Sequence, residues 1–260
     1  TPLYSSAASD VYKRQIYNEP SGGISHGIYF YHNNIVNNPW QAYDIGPNRW
    51  DDGYPSGGNY WSDYVGADNY GGENQDIPGS DGIGDTPYYI LGGANRDRYP
   101  LMSPWHAPIS IVGNENFIPA NGVTSGSGTE NDPYIIENWG ISAENATGIE
   151  IWDTTAHFII RNCHVYGGRS KQNNGISFYS VENGRIDKNI CFNDSCGIFL
   201  YYSFNNAISN NICGNNGHGA HLIESDNNTL SNNTCENNSF GIDLDSSSNN
   251  TLSLNNTCGN

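Results

Sequence analysis

The chain reads as an all-β parallel β-helix. Three observations predict this: a phrase repeated at a fixed step, short β-type runs between Asn pairs, and apolar positions that keep register from repeat to repeat. A glycine followed by alternating apolar residues recurs as GISFYS at Gly175, GIFLYY at Gly197, GAHLIE at Gly219 and GIDLDS at Gly241, a step of 22 residues each time. A second phrase follows each glycine: RIDKNIC ending at Cys191, AISNNIC at Cys213, TLSNNTC at Cys235 and, with one residue inserted, TLSLNNTC at Cys258. Units this short cannot bury their own apolar face, so they stack. With neighbouring strands about 4.8 Å apart, each repeat becomes one coil of three short strands.

The elements of a coil follow in order. Side chains alternate along a strand, which turns Ile176, Ile198, Ala220 and Ile242 inward, followed by Phe178, Leu200, Leu222 and Leu244. Ile186, Ile208, Leu230 and Leu252 point inward from the second strand. Asn189, Asn211, Asn233 and Asn256 fall at the bend before the third strand, where stacked amides bond to each other and to backbone. A further column, Asn193, Asn215, Asn237 and Asn260, marks the next bend. Cys191, Cys213, Cys235 and Cys258 occupy the apolar column of the third strand and are expected to be buried, reduced thiols. Parallel in-register Cβ vectors suit a disulfide poorly. Cys163 and Cys196 are left over, and no zinc spacing is present.

Composition agrees with this reading and excludes others. Only 36% of the 260 residues are hydrophobic and 14% charged, with 31 glycines, which does not fit a compact α/β enzyme. Polar residues in strict register with apolar ones, and 12% aromatics, separate the chain from a disordered one. Lys plus Arg number 10 against 27 Asp plus Glu, a net charge of −17, so a nucleic-acid partner is excluded by phosphate repulsion. No apolar run approaches the roughly 20 residues that span a bilayer.

Taken from the start, residues 1–15 share no pattern with the rest. SSAASDVYKRQ resembles translated sequencing-adapter DNA, so the segment is set aside as a non-native lead. Residues 16–47 contain GIYFYH and NNIVNN, the elements of a last coil from an N-terminal β-helix, with Tyr29, Tyr31 and His32 near its exposed column. Residues 48–102 change to Trp, Tyr, Gly, Asp and Pro, a loop-rich cap. Residues 103–260 form a second β-helix, opening with Ile109, Ile111, Ile135 and Ile136 as its first buried positions. Gly148 lies 27 residues before Gly175, so an insertion loops out after Val165. The last coil stops without a capping element, and the sequence therefore reads as a fragment.

GNYWSDY (58–64), DGIGDTPY (81–88) and DRYPLM (97–102), together with the coils, resemble NosD-like proteins, many of them surface proteins of archaea. The resemblance implies a right-handed β-helix, which agrees with the crossover rule for parallel strands. It also implies a link to copper delivery for a copper reductase. Copper takes thiolate, thioether or imidazole donors together. The sequence offers His26 and His32 in one part, His218 and His221 in the other, and one methionine, Met102, so it leaves these as isolated surface histidines.

The exposed face of the glycine strands carries the candidate site. Its columns are Glu150, Ser177, Phe199, His221, Asp243 and Trp152, Tyr179, Tyr201, Ile223, Asp245. Flat rings beside carboxylates suit sugars, so Glu150, Trp152, Tyr179, Tyr201, His221, Asp243 and Asp245 are the expected carbohydrate-binding residues, with the Tyr179 and Tyr201 rings about 4.8 Å apart. The alternative is a solvated face. GHG at 217–219 resembles a polygalacturonase signature, but FLYYS stands where paired aspartates belong. Asp243 and Asp245 suit the carboxylate separation of about 5 to 9.5 Å for glycoside hydrolysis, which keeps a polysaccharide lyase or hydrolase as an alternative. In QDIPGSDGIGD, Asp76, Asp81 and Asp85 form a loop that could hold calcium, although it departs from the EF-hand pattern. Seven N-x-Ser/Thr triplets arise mainly where a ladder Asn precedes Thr. The expectation is a non-catalytic exported protein, extracellular or at the cell surface (periplasmic if bacterial). It is structural or binds extended glycans, and a periplasmic scaffold for copper-enzyme maturation is a further alternative.

Overall fold

The computed structural model describes residues 16–18, 26–253 and 255–259. The lead 1–15 and Asn260 lie outside these. The chain divides into two compact units, Thr1–Trp105 and His106–Asn260.

The second unit is a parallel β-solenoid of three sheets. One sheet orders Ile109–Val112, Ile149–Thr154, Ile176–Val181, Cys196–Tyr201, His218–Ile223 and Phe240–Asp245 side by side. The second runs from Val123–Ser125 to Thr251–Ser253, and the third from Gly140–Ser142 to Thr257–Gly259. Among the described residues every strand pairing in this unit is parallel except the first of the second sheet, where Val123–Ser125 runs antiparallel to Tyr134–Glu137, and an isolated antiparallel bridge joins Thr129 and Asp132. Register follows the repeat: Ile176 pairs Ile198, Ile198 pairs Ala220, and Ala220 pairs Ile242. The insertion after Val165 appears as a short 3-10 turn at Arg169–Lys171, whose Arg169 Nη1 donates to Asn215 O at 2.7 Å.

The core is the interior of the coils. Ile176, Phe178, Ile186, Ile198, Leu200, Ile208, Ala220, Leu222 and Leu230 are buried, with Cys163, Cys191, Cys213 and Cys235 among them. Five inward expectations need correction, beginning with Ile242, which is half-buried. Leu244 and Leu252 are exposed, and so is Cys258; all three lie on the final coil, with a stacked neighbour on one side only. Ile135 is half-buried beside buried Ile136, because adjacent residues of a strand face opposite ways.

The Asn ladder forms at the expected bend. Asn211 Nδ2 donates to Asn233 Oδ1 at 3.0 Å and to Ile186 O at 3.0 Å, while its Oδ1 accepts from the backbone and side chain of Asn189. At the next bend Asn193, Asn215 and Asn237 take left-handed backbone, with φ of 59°, 57° and 57°, a region Asn tolerates. The buried ladder there runs one residue later, through Asp194, Asn216 and Asn238. Two more ladders, Asn206–Asn228–Asn250 and Ser203–Ser225–Ser247, cross the other corner.

The first unit also contains parallel pairs. Ile16–Asn18 pairs Ala42–Asp44, and Asn34–Ile35 pairs Tyr60–Trp61. Its core joins Ile35, Ala42, Trp50, Trp61 and Ile90, with Phe30 stacked on Trp50 at 4.3 Å and Tyr88 on Trp61 at 4.1 Å. Two buried aspartates take up the polar edges of these rings. Asp97 accepts from Trp61 Nε1 at 2.9 Å and Asn59 N at 2.7 Å, and Asp44 accepts from Trp50 Nε1 at 2.8 Å. The GNYW and DRYP motifs therefore meet at one carboxylate. A Cβ on Gly58 would collide with it, which is why glycine stands there.

Candidate metal centre

The six-strand sheet sets its outward side chains in columns one coil apart. Glu150, Ser177, Phe199, His221 and Asp243 are in register, as are Trp152, Tyr179, Tyr201, Ile223 and Asp245. A third column stands where the strands begin: Cys196 pairs His218, and His218 pairs Phe240.

His218 and His221 are three apart in one strand, and strict alternation would send them to opposite faces. They instead stack, with ring centroids 4.6 Å apart and planes 15° apart, because His218 sits at the corner where the strand begins. Phe240 stacks on the other side of His218 at 4.8 Å, and Phe199 meets His221 edge-on at 5.7 Å. Cys196, 7% exposed, brings Sγ to 3.8 Å from His218 Nδ1. One donor atom from each of Cys196, His218 and His221 lies within 4.8 Å of the others, and no other group of three or more His, Cys, Asp or Glu does so among the described residues. Asp243 Oδ2 lies 3.5 Å from His218 Nε2 and 3.7 Å from His221 Nε2.

The electrostatics prepare these groups unequally. Burial lowers the His221 pKa, His218 beside it lowers it further, and Asp243 and Asp245 oppose. A neutral imidazole keeps a lone pair for a metal. Burial pushes the Cys196 thiol up to about 11, so without a metal it holds its proton at neutral pH. A thiol that ionises on binding and two imidazoles form a soft donor set of the kind copper takes, unlike the all-oxygen sets of calcium or magnesium.

The remaining expected residues are placed as follows. Trp152 and Tyr179 stack at 3.8 Å and spend ring faces on each other. Tyr201 stands 6.5 Å from Tyr179 at 63°, not in the expected 4.8 Å stack, and packs edge-on against Tyr202 at 4.5 Å. Glu150 accepts from Ser110 Oγ at 3.1 Å. Asp85 accepts from Asn69 N and Tyr70 N, and buried Asp81 from Ile83 N and Gly72 N, while Asp76 is exposed. Burial and the neighbouring Asp68 carboxylate push Asp81 up to about 7.

Cys196, His218 and Phe240 were outside the expected site. The signal was present in the spacing, since 196, 218 and 240 differ by one repeat each. No helix among the described residues is long and apolar enough to cross a membrane.

A search of curated proteins and a search of solved structures returned no match. A family model described as "Periplasmic copper-binding protein (NosD)" matches residues 109–260, more than half of the chain and nearly the whole second unit. With the parallel β-solenoid agreeing, the chain belongs to the NosD family of periplasmic copper-binding proteins.

Proposed function

We propose that this chain is an exported, non-catalytic β-helix that holds copper at Cys196, His218 and His221 on behalf of a copper-requiring enzyme. The mutual approach of three soft donor atoms within 4.8 Å carries the reading, and the family's description supports both the metal and a periplasmic or surface location. Copper, when bound, would supply a transferable ion. The chain's part is to fix the donors on stacked coils, so that Cys196 on one coil and the imidazoles on the next keep their spacing without a hinge. Purified protein incubated with copper under reductant and then dialysed should retain a single ion per chain. Cys196→Ser and the double variant His218→Ala, His221→Ala should retain little while keeping the β-sheet circular dichroism of the parent. Equal retention in all three would refute the assignment.

A second reading, an extended glycan gripped by the same sheet, is favoured by the exposed rings of Tyr201 and Tyr202, 37% and 41% accessible, which can stack on sugars. Glu150, Trp152, Tyr179, His221, Asp243 and Asp245 would flank it. A glycan array with Tyr201→Ala tests it: binding lost in the variant supports it, and no binding by the parent removes it. Released oligosaccharides that vanish in Asp243→Asn would instead make the protein an enzyme.

A further inference from the structure

We infer that the Cys196–His218–His221 centre is a three-donor site selective for a soft monovalent ion, cuprous copper, and that Asp243 is a positioning residue behind the imidazoles, not a fourth ligand. The inference rests on the copper-binding reading above and deepens it.

Asp243 stands on the far side of the His218 ring from Cys196. His218 faces Cys196 Sγ through Nδ1 and faces Asp243 Oδ2 through Nε2. An ion seated between Sγ and Nδ1 therefore has the imidazole ring between itself and the carboxylate. Asp243 is correspondingly absent from the group whose donor atoms all lie within 4.8 Å. At 3.5 and 3.7 Å from the two Nε2 atoms, its oxygen acts more as a nearby charge than as a short hydrogen-bond acceptor. A negative charge there favours the proton on Nε2 and leaves Nδ1 as the lone-pair nitrogen, the second-shell arrangement common to metal-bound histidines.

Coordination number and donor softness separate the candidate ions. Zinc is almost always four-coordinate, filling its last position with a fourth side chain or water. Here three protein donors lie together, and Phe240 and Phe199 pack against the imidazoles, an apolar surround that suits an ion of low coordination number. Thiolate with imidazole is also a donor set on which soft cuprous ion competes well.

The test uses the full chain under reductant. Cu(I) and Ag(I) should each bind as a single ion lost in Cys196→Ser, and a tenfold excess of Zn(II) should leave Cu(I) in place. X-ray absorption at the copper edge should show one sulfur and two nitrogen ligands. Asp243→Asn should weaken Cu(I) binding by about 10- to 100-fold, the usual effect of losing an outer-shell partner, with the sulfur and both nitrogens retained. Displacement of copper by zinc mole for mole, or an oxygen ligand that disappears in Asp243→Asn, would overturn the selectivity while leaving the site standing. Metal binding indifferent to Cys196→Ser would overturn the site itself and this inference with it.

Discussion

Asp194 is the one acidic member of a buried amide ladder, and replacing it by Asn should stabilise the protein. In the coils that follow, Asn216 Nδ2 donates to Cys191 O at 3.0 Å and Asn238 Nδ2 donates to Cys213 O at 2.8 Å. Asp194 occupies the equivalent position one coil earlier, fully buried. Its Oδ1 accepts from Gly168 N at 2.9 Å, but Oδ2 has no partner. Burial holds its carboxyl well above the usual carboxylate range, and the bond from Gly168 opposes this only in part. An Asn would turn an N–H group to where the lone oxygen sits. Leaving a buried polar group unpaired costs roughly 1–3 kcal/mol, so Asp194→Asn should gain about that much at neutral pH. The pH dependence has a definite sign. A carboxyl raised in the folded state contributes stability that is complete below the unfolded pKa, about 3.9, and is lost as pH rises through the folded value. The parent should therefore weaken as pH rises above about 4, and the gain from Asp194→Asn should grow over the same range. Urea midpoints of both proteins at acidic and mildly alkaline pH measure this. A variant weaker than the parent at every pH, or one whose advantage does not change with pH, would refute the reasoning.

Two other outcomes follow from the ladders and the thiols. Asn211→Ala removes an amide that is fully buried and pairs with Asn189, Asn233 and Ile186 O. Asn233 Oδ1 keeps the backbone N of residue 211 and Asn189 Nδ2 keeps Ile160 O, which leaves Asn189 N and Ile186 O; at about 1–3 kcal/mol for each of these two groups, stability should fall by roughly 2–6 kcal/mol in thermal or urea unfolding, and a loss under about 1 kcal/mol would contradict the ladder's role. In native alkylation, Cys163, Cys191, Cys213 and Cys235 should resist until unfolding, whereas exposed Cys258 should label at once; rapid labelling of the four buried thiols would contradict the register.

Much of the second unit was legible because a solenoid's core is made between neighbours one repeat apart. Ile176, Ile198 and Ala220 needed only the 22-residue step and strand alternation to be placed. What the sequence hid lies at the corners, where alternation fails. In the Asn pairs that begin at Asn205, Asn210, Asn215, Asn227, Asn232 and Asn237 the first residue turns left-handed and the second buries its amide, and nothing in the letters NN tells Asn216 from Asn215. His218 lies at such a corner and swings onto the face of His221, which made two apparently separate histidines into one centre with Cys196. Ring orientation was also hidden: the spacing of Tyr179 and Tyr201 was set by the coil, but their 63° tilt was set by packing against Tyr202 and Phe199. In the first unit the motifs pointed to a family, whereas the reason for them, Asp97 receiving Trp61 and Asn59 from 36 and 38 residues away, required the fold.

The most direct test of the metal centre is side-chain NMR of the histidines during titration with Ag(I), a diamagnetic stand-in for cuprous ion. The chain has seven histidines. The resonances of His218 and His221 should move together and saturate with one equivalent, while those of His26, His32, His106, His157 and His164 stay in place. Unmoved His218 and His221, or shifts centred on any of the other five, would contradict the metal centre.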